Sequence, residues 1–235
     1  MRLLLISSST LHGSGYFDYC ATAVTTFLGS SVTRVLFVPY AVRDYDAYAA
    51  KVRDRFARLG LEVDSVHSGQ AAAAAVRAVE RAQAIFVGGG NTFRLIDALW
   101  NQHLIEPIRA RVRSGMPYIG SSAGSNVACP TIKTTNDMPI VQPPTFEALG
   151  LVAFQINPHY LDPLPGSTHM GETREERIRE FHEENDAAVV GLREGAWLEI
   201  SGPRLHLRGA TGARLFQRGL PPVELAAGAS IDFLL

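Results

Sequence analysis

Gly120-Ser121-Ser122-Ala123-Gly124 follows the apolar pair Tyr118-Ile119 and fits the pattern G-x-S-x-G. The reason for the pattern is steric. A serine presented on a sharp strand-to-helix turn sits in strained backbone, and the residues two before and two after must be small to pass each other. In that register Ser122 is the central residue and Ser121 the variable one. The chemistry implied is nucleophilic attack on a carbonyl. A helix starting within Ala123 to Ala128 would turn amides toward the developing negative charge. A plain glycine-rich connection would look the same over five residues; the apolar strand before it and the helix-forming run after it favour the nucleophile.

A serine hydroxyl needs a base, and the chain has seven histidines. His12, His67, His103 and His206 fall in or beside predicted helices, strands or their ends, with no chemistry nearby. His182 sits among glutamates on a charged helix and is expected to be solvated. His159 and His169 lie in a proline-rich loop from Pro158 to Gly171. His159 is favoured because Pro158 stiffens its approach, but spacing leaves His169 open. The base needs an orienting carboxylate. Asp137, before Met138-Pro139, and Glu194, before Gly195, both qualify, and both are ordinary turn residues. Spacing does not choose between them. Gly88-Gly89-Gly90-Asn91-Thr92 lacks the form of a dinucleotide loop and the lysine of a phosphate loop. Its amides could instead complete an oxyanion hole, with Asn91 capping a following helix.

The surrounding pattern must hold these groups. Leu3-Ile6, Val35-Val38 and Ala84-Val87 are continuously apolar, as strands buried on both faces are. Tyr45, Tyr48, Ala49, Val52, Phe56 and Leu59 recur at helical spacing until Gly60, and the alanine-rich run Ala71–Arg81 is helical by propensity. Leu61–Val66 alternates like a strand. The β-α-β-α order predicts an α/β fold with a central, mostly parallel sheet, and ligands at its C-terminal strand ends. Further on, Asn136–Pro144 reads as loop and Glu172–Glu184 as a charged helix. Ala187–Val190, Ala196–Ile200 and Arg204–Leu207 read as strands joined by tight turns. No linker divides the 235 residues, so one domain spanning 1–235 is expected. A net charge of −1 argues against nucleic-acid or membrane-surface binding by bulk electrostatics. Two widely spaced cysteines, Cys20 and Cys129, read as core filler. They suggest no disulfide framework, and with no signal-like or spanning segment the expected compartment is the cytoplasm.

Seven segments taken together resemble the peptidase E, or α-aspartyl dipeptidase, family. They are Leu3–Leu11, Val87–Phe93, Tyr118–Gly124, Ala128–Ile132, Thr134–Val141, Gln155–His159 and Gly171–Glu175. The resemblance spans nearly the whole chain. It implies a flavodoxin-like sandwich similar to class I glutamine amidotransferases. It also implies metal-independent, cofactor-free hydrolysis of dipeptides with N-terminal aspartate. Within it Ser122 matches the nucleophile and His159 the base. Glu194 is the expected orienter, by analogy with related cyanophycinases that use Ser, His and Glu, with Asp137 close by. Gly90 and Ala123 would supply oxyanion amides. Arg174 would read the substrate's aspartate carboxylate, with Lys133 a second candidate, Asn91 a further contact and Glu175 an acceptor for the α-ammonium. Some members carry Trp where this chain has Ser121, which bears on pocket shape. A cyanophycinase-like β-aspartyl hydrolase and a non-catalytic binding relative are the alternative readings. The partner expected is a small dipeptide, and a homo-oligomer is left open.

Overall fold

The computed structural model describes residues 1–235 except Gly69, Gln70, Leu164, Pro165, Ser167 and His169. The apolar runs form a parallel core. Strands β1 (Arg2–Ile6), β2 (Arg34–Val38), β3 (Glu62–Ser65), β4 (Ile85–Val87) and β5 (Tyr118–Ser121) lie in the order β3-β2-β4-β5-β1, all parallel. Side chains alternate across the sheet, so Leu3 and Leu5 enter one apolar cluster and Leu4 and Ile6 the other. Burial on both faces is why β1, β2 and β4 read as apolar runs, whereas β3 at the sheet edge exposes Glu62 and Asp64 and alternates. An antiparallel pair, β8 (Ala196–Ser201) and β9 (Arg204–Gly209), extends this sheet beyond β1.

Helices α1 (Ala21–Leu28), α2 (Tyr45–Ala57), α3 (Ala72–Arg81), α4 (Thr92–Asn101) and α5 (Ile105–Arg113) connect the parallel strands. α2 begins where Asp44 accepts the Ala47 amide at 2.9 Å and buries Ala49, Val52 and Phe56. It gives way at Gly60, whose φ of +76° suits a residue without Cβ. The helix after the serine turn, α6 (Ala123–Asn126), has only four residues, shorter than the sequence suggests. Its dipole is correspondingly small; the free amide of its first residue is what remains useful.

A second sheet has the order β11-β10-β7-β6, formed by β6 (Gln155–Pro158), β7 (Val189–Leu192), β10 (Ala213–Phe216) and β11 (Val223–Leu225). β6 and β7 are parallel, with Pro158 beside Leu192. Between them, α7 (Arg174–Glu184) starts at a capping box in which Thr173 accepts the Glu176 amide and Glu176 accepts the Thr173 amide. The strands after α7 are not all joined by tight turns. β7 does not turn back on β8 as a hairpin. It belongs to the second sheet, and Arg193-Glu194-Gly195 carries the chain across to the first. One apolar cluster continues through both sheets, joining Leu3, Leu5 and Val87 to Ile156, Val190 and Leu192. No helix among the described residues is long and apolar enough to cross a membrane.

Candidate active site

Ser122 sits between β5 and α6 with φ +52° and ψ −112°, in the left-handed half of backbone space. The flanking glycines are there because nothing larger fits. A Cβ on Gly120 would lie 2.5 Å from the Gly124 carbonyl oxygen, and one on Gly124 would lie 2.0 Å from that of Val87. The turn is tied down on several sides. The Ser122 amide donates to Ile6 O at 2.9 Å, and Ser125 Oγ to Ile6 O and Gly120 O at 2.8 and 2.9 Å. Tyr118 OH donates to Gly124 O at 2.7 Å. Burial pushes the Tyr118 phenol well above its ordinary pKa, so it stays a neutral donor. Strain held by this many partners is the form an active-site elbow takes.

His159 follows β6 and also has positive φ, +53°. Its amide donates to Ser7 Oγ at 2.9 Å, and Ser7 Oγ donates to Leu192 O at 2.8 Å. Ser7 directly follows β1, so one hydroxyl ties the end of the first sheet to the ends of two strands of the second. The imidazole Nε2 lies 2.9 Å from Ser122 Oγ, and Nδ1 lies 2.6 Å from Glu194 Oε1. With Glu194 ionised, Nδ1 carries the proton and donates to it, and Nε2 accepts from the serine hydroxyl. Glu194 stands on the crossover between sheets. Its carbonyl accepts from Thr211 Oγ1 at 2.7 Å, and Gly195 makes the turn at φ +86°. Beside it, Arg193 grips Asp162 through two bonds of 2.7 Å and also reaches Glu224.

Asp137 is elsewhere. Its Oδ2 accepts the Thr92 amide at 2.7 Å, Thr92 Oγ1 at 2.6 Å and Thr135 Oγ1 at 3.2 Å, at the start of α4. The structure therefore brings Glu194, not Asp137, to the histidine. Asp137 still lines the cleft of about 670 Å³ that contains Ser122, His159, Gly89 and Gly90. Gly90 has φ +133° and no room for a Cβ, which would meet Ala41 O at 2.5 Å. The Gly89 amide is taken by Tyr48 OH at 3.0 Å, whereas the amides of Gly90 and Ala123 have no hydrogen-bond partner among the described residues. Asn91 is engaged structurally: Oδ1 caps the Arg94 amide at 3.0 Å and Nδ2 donates to Met138 O at 2.9 Å.

The other candidates separate. Arg174, half-buried at the start of α7, is pulled below its ordinary pKa first by burial and then by Arg177, while Asp137 acts in the opposite direction. It remains a cation at neutral pH, near Asp137. Lys133 is exposed and donates to Asn185 Oδ1 at 2.9 Å. Glu175 is buried and paired with Arg179 and Arg214, so its charge is already satisfied. His182, expected to be solvated, is buried and hydrogen-bonds the Ala187 carbonyl at 3.1 Å. His169 lies outside the described residues. Sequence reasoning passed over Ser7, Tyr16, Tyr48 and Lys51. Tyr48 falls on the apolar stripe of α2, so its hydroxyl was hidden in a pattern that reads as core.

A serine on a strained strand-to-helix turn, in line with a histidine and a carboxylate at the C-terminal ends of α/β strands, defines the class of α/β serine hydrolases. The chain belongs to peptidase family S51, whose sequence profile matches residues 3–208. It is 56% identical to peptidase E of Streptomyces coelicolor over 235 residues, covering 100% of this chain and 95% of that one. It is 50% identical to a Drosophila melanogaster protein described as a "probable alpha-aspartyl dipeptidase", covering 100% and 97%. The crystal structure of a peptidase from an acI-B1 actinobacterium superposes with a TM-score of 0.74 at 21% identity, covering 98% of this chain and 96% of that one. At that identity the likeness shows the fold.

Proposed function

We propose that the protein is a serine dipeptidase that hydrolyses Asp-Xaa through an aspartyl-enzyme. The observation that carries the chemistry is the line Glu194–His159–Ser122, with contacts of 2.6 and 2.9 Å. Its substrate class follows from the names of the relatives above. Ser122 Oγ attacks the first carbonyl carbon while His159 Nε2 takes the hydroxyl proton, and Glu194 holds Nδ1–H and stabilises the imidazolium. The free amides of Gly90 and Ala123 receive the oxyanion. His159 then protonates the departing amine as the C–N bond breaks. Water adds to the ester, giving its proton to His159, and collapse returns that proton to Ser122 as aspartate leaves.

Arg174 is assigned to the substrate's side-chain carboxylate, which a guanidinium can hold through two parallel hydrogen bonds. The α-ammonium is assigned to Asp137 rather than Glu175, because Glu175 is saturated by two arginines whereas Asp137 lines the cleft. The deciding experiment incubates the enzyme with Asp-Leu, β-Asp-Leu and Leu-Leu, with Ser122→Ala as control. Release of leucine from Asp-Leu alone, lost in the variant, supports the reading. Preference for β-Asp-Leu would transfer it to a β-aspartyl hydrolase, and no turnover of any would make it a binding protein. Arg174→Met should lower kcat/KM for Asp-Leu about 100-fold, in keeping with loss of a paired charge; unchanged efficiency would remove Arg174 from the site.

A further inference from the structure

We propose that Lys51 closes the far end of the cleft and takes the C-terminal carboxylate of the dipeptide, so that the site reads both ends of its substrate. The inference rests on the dipeptidase reading above and deepens it. Lys51 is the one lysine or arginine among the described residues that line the cleft. Its ammonium stands 4.3 Å from the centre of the Tyr16 ring. A cation–π contact of that kind steadies a charge without neutralising it. No ion pair among the described residues involves Lys51. Asp44, on the same wall, is committed to capping α2.

Contacts connect this ammonium to the reacting centre. Tyr16 OH donates to Tyr48 OH at 3.4 Å, and Tyr48 OH accepts the Gly89 amide at 3.0 Å. Lys51, two phenols and the loop carrying Gly90 thus form one wall. In a dipeptide attacked at its first carbonyl, the terminal carboxylate lies about 4–5 Å beyond the scissile carbon, and a hydrogen bond adds about 3 Å. A lysine ammonium on four methylenes can adjust over such a span. Arg174 and Lys51 then divide the two carboxylates of Asp-Xaa, Arg174 taking the side chain and Lys51 the C-terminus. A longer peptide or a C-terminal amide would leave Lys51 without its anion.

The test compares kcat/KM for Asp-Leu and for Asp-Leu amide, which differ only in that carboxylate. The expected wild-type ratio is about tenfold or more in favour of the acid, as for one charge-assisted hydrogen bond. In Lys51→Met it should fall to near one, and Lys51→Arg should restore part of it. Hydrolysis of the amide serves as the internal check that the variant is folded. The same ratio in wild type and Lys51→Met, or no wild-type preference for the acid, overturns the assignment while leaving the dipeptidase reading intact. Failure of the wild type to cleave either compound overturns the dipeptidase reading itself, and this inference with it.

Discussion

At the scale of the residue, the site assigns different work to two carboxylates that look alike in sequence. Glu194 contacts His159 and should act on turnover. Asp137 is held by Thr92 and Thr135 and should act on binding. Glu194→Gln is therefore expected to lower kcat by roughly 10²–10⁴-fold. Asp137→Asn should leave kcat near normal and raise KM. Steady-state kinetics on Asp-Leu separate the two, and the reverse pattern would exchange the roles. Ser7 acts through His159 instead of touching substrate. Ser7→Ala leaves the His159 amide without its partner, so kcat should drop roughly five- to tenfold with KM unchanged. A loss of Tm or of active-enzyme fraction large enough to account for the drop would mean that Ser7 merely supports the fold.

At the scale of the element, the serine turn and the crossover carry the strain and the charge. Gly124→Ala would drive a Cβ to 2.0 Å from a backbone oxygen of β4. That should cost about 3 kcal/mol and lower Tm by about 6–12 °C. Gly60→Ala, at the end of α2 where a Cβ meets nothing within 4 Å, should cost only the left-handed backbone, about 1 kcal/mol. Equal losses would refute the steric account of the elbow. On the crossover, hydrogen bonding and charge from Arg193 hold the Asp162 carboxyl below its ordinary value of 3.8. A carboxyl depressed on folding adds stability that is present above its unfolded pKa and is lost as pH falls through the folded one. Asp162→Asn should thus lower Tm by about 1–3 °C at pH 7, a small effect because the pair is partly exposed. The difference should shrink as pH falls below 3.8 and vanish once the carboxyl is protonated in the folded protein as well. A difference that persists there would point to packing instead of charge.

At the scale of the molecule, one apolar cluster runs through both sheets. The chain is accordingly expected to unfold in a single transition seen alike by far-UV and near-UV circular dichroism; two separated transitions would divide it into domains. Burial pushes the Cys20 thiol up to about 12 and raises Cys129 as well. Neither should react with a thiol reagent until that transition, and alkylation of the folded protein should leave activity unchanged. Labelling ahead of unfolding would show local opening around α1 or the segment after α6.

The sequence by itself determined the parallel half of the fold, because strands buried on both faces are apolar throughout and their connecting helices show their period. It also singled out Ser122 as the candidate nucleophile, because the two glycines around it answer a local steric demand, and it favoured His159 through Pro158. The second sheet was harder to read. β6, β10 and β11 have only three or four residues each, too few for a period to stand out. That sheet is also what decides the third member of the site. β6 and β7 run parallel, so the residues just beyond them, His159 and Glu194, meet although they are 35 positions apart. Asp137 is closer to His159 in sequence, yet the chain turns it onto the amide that begins α4. Ser7, Tyr48 and Lys51 came into view only in the tertiary structure, because their roles depend on which strand ends and which helix face enclose the same cleft.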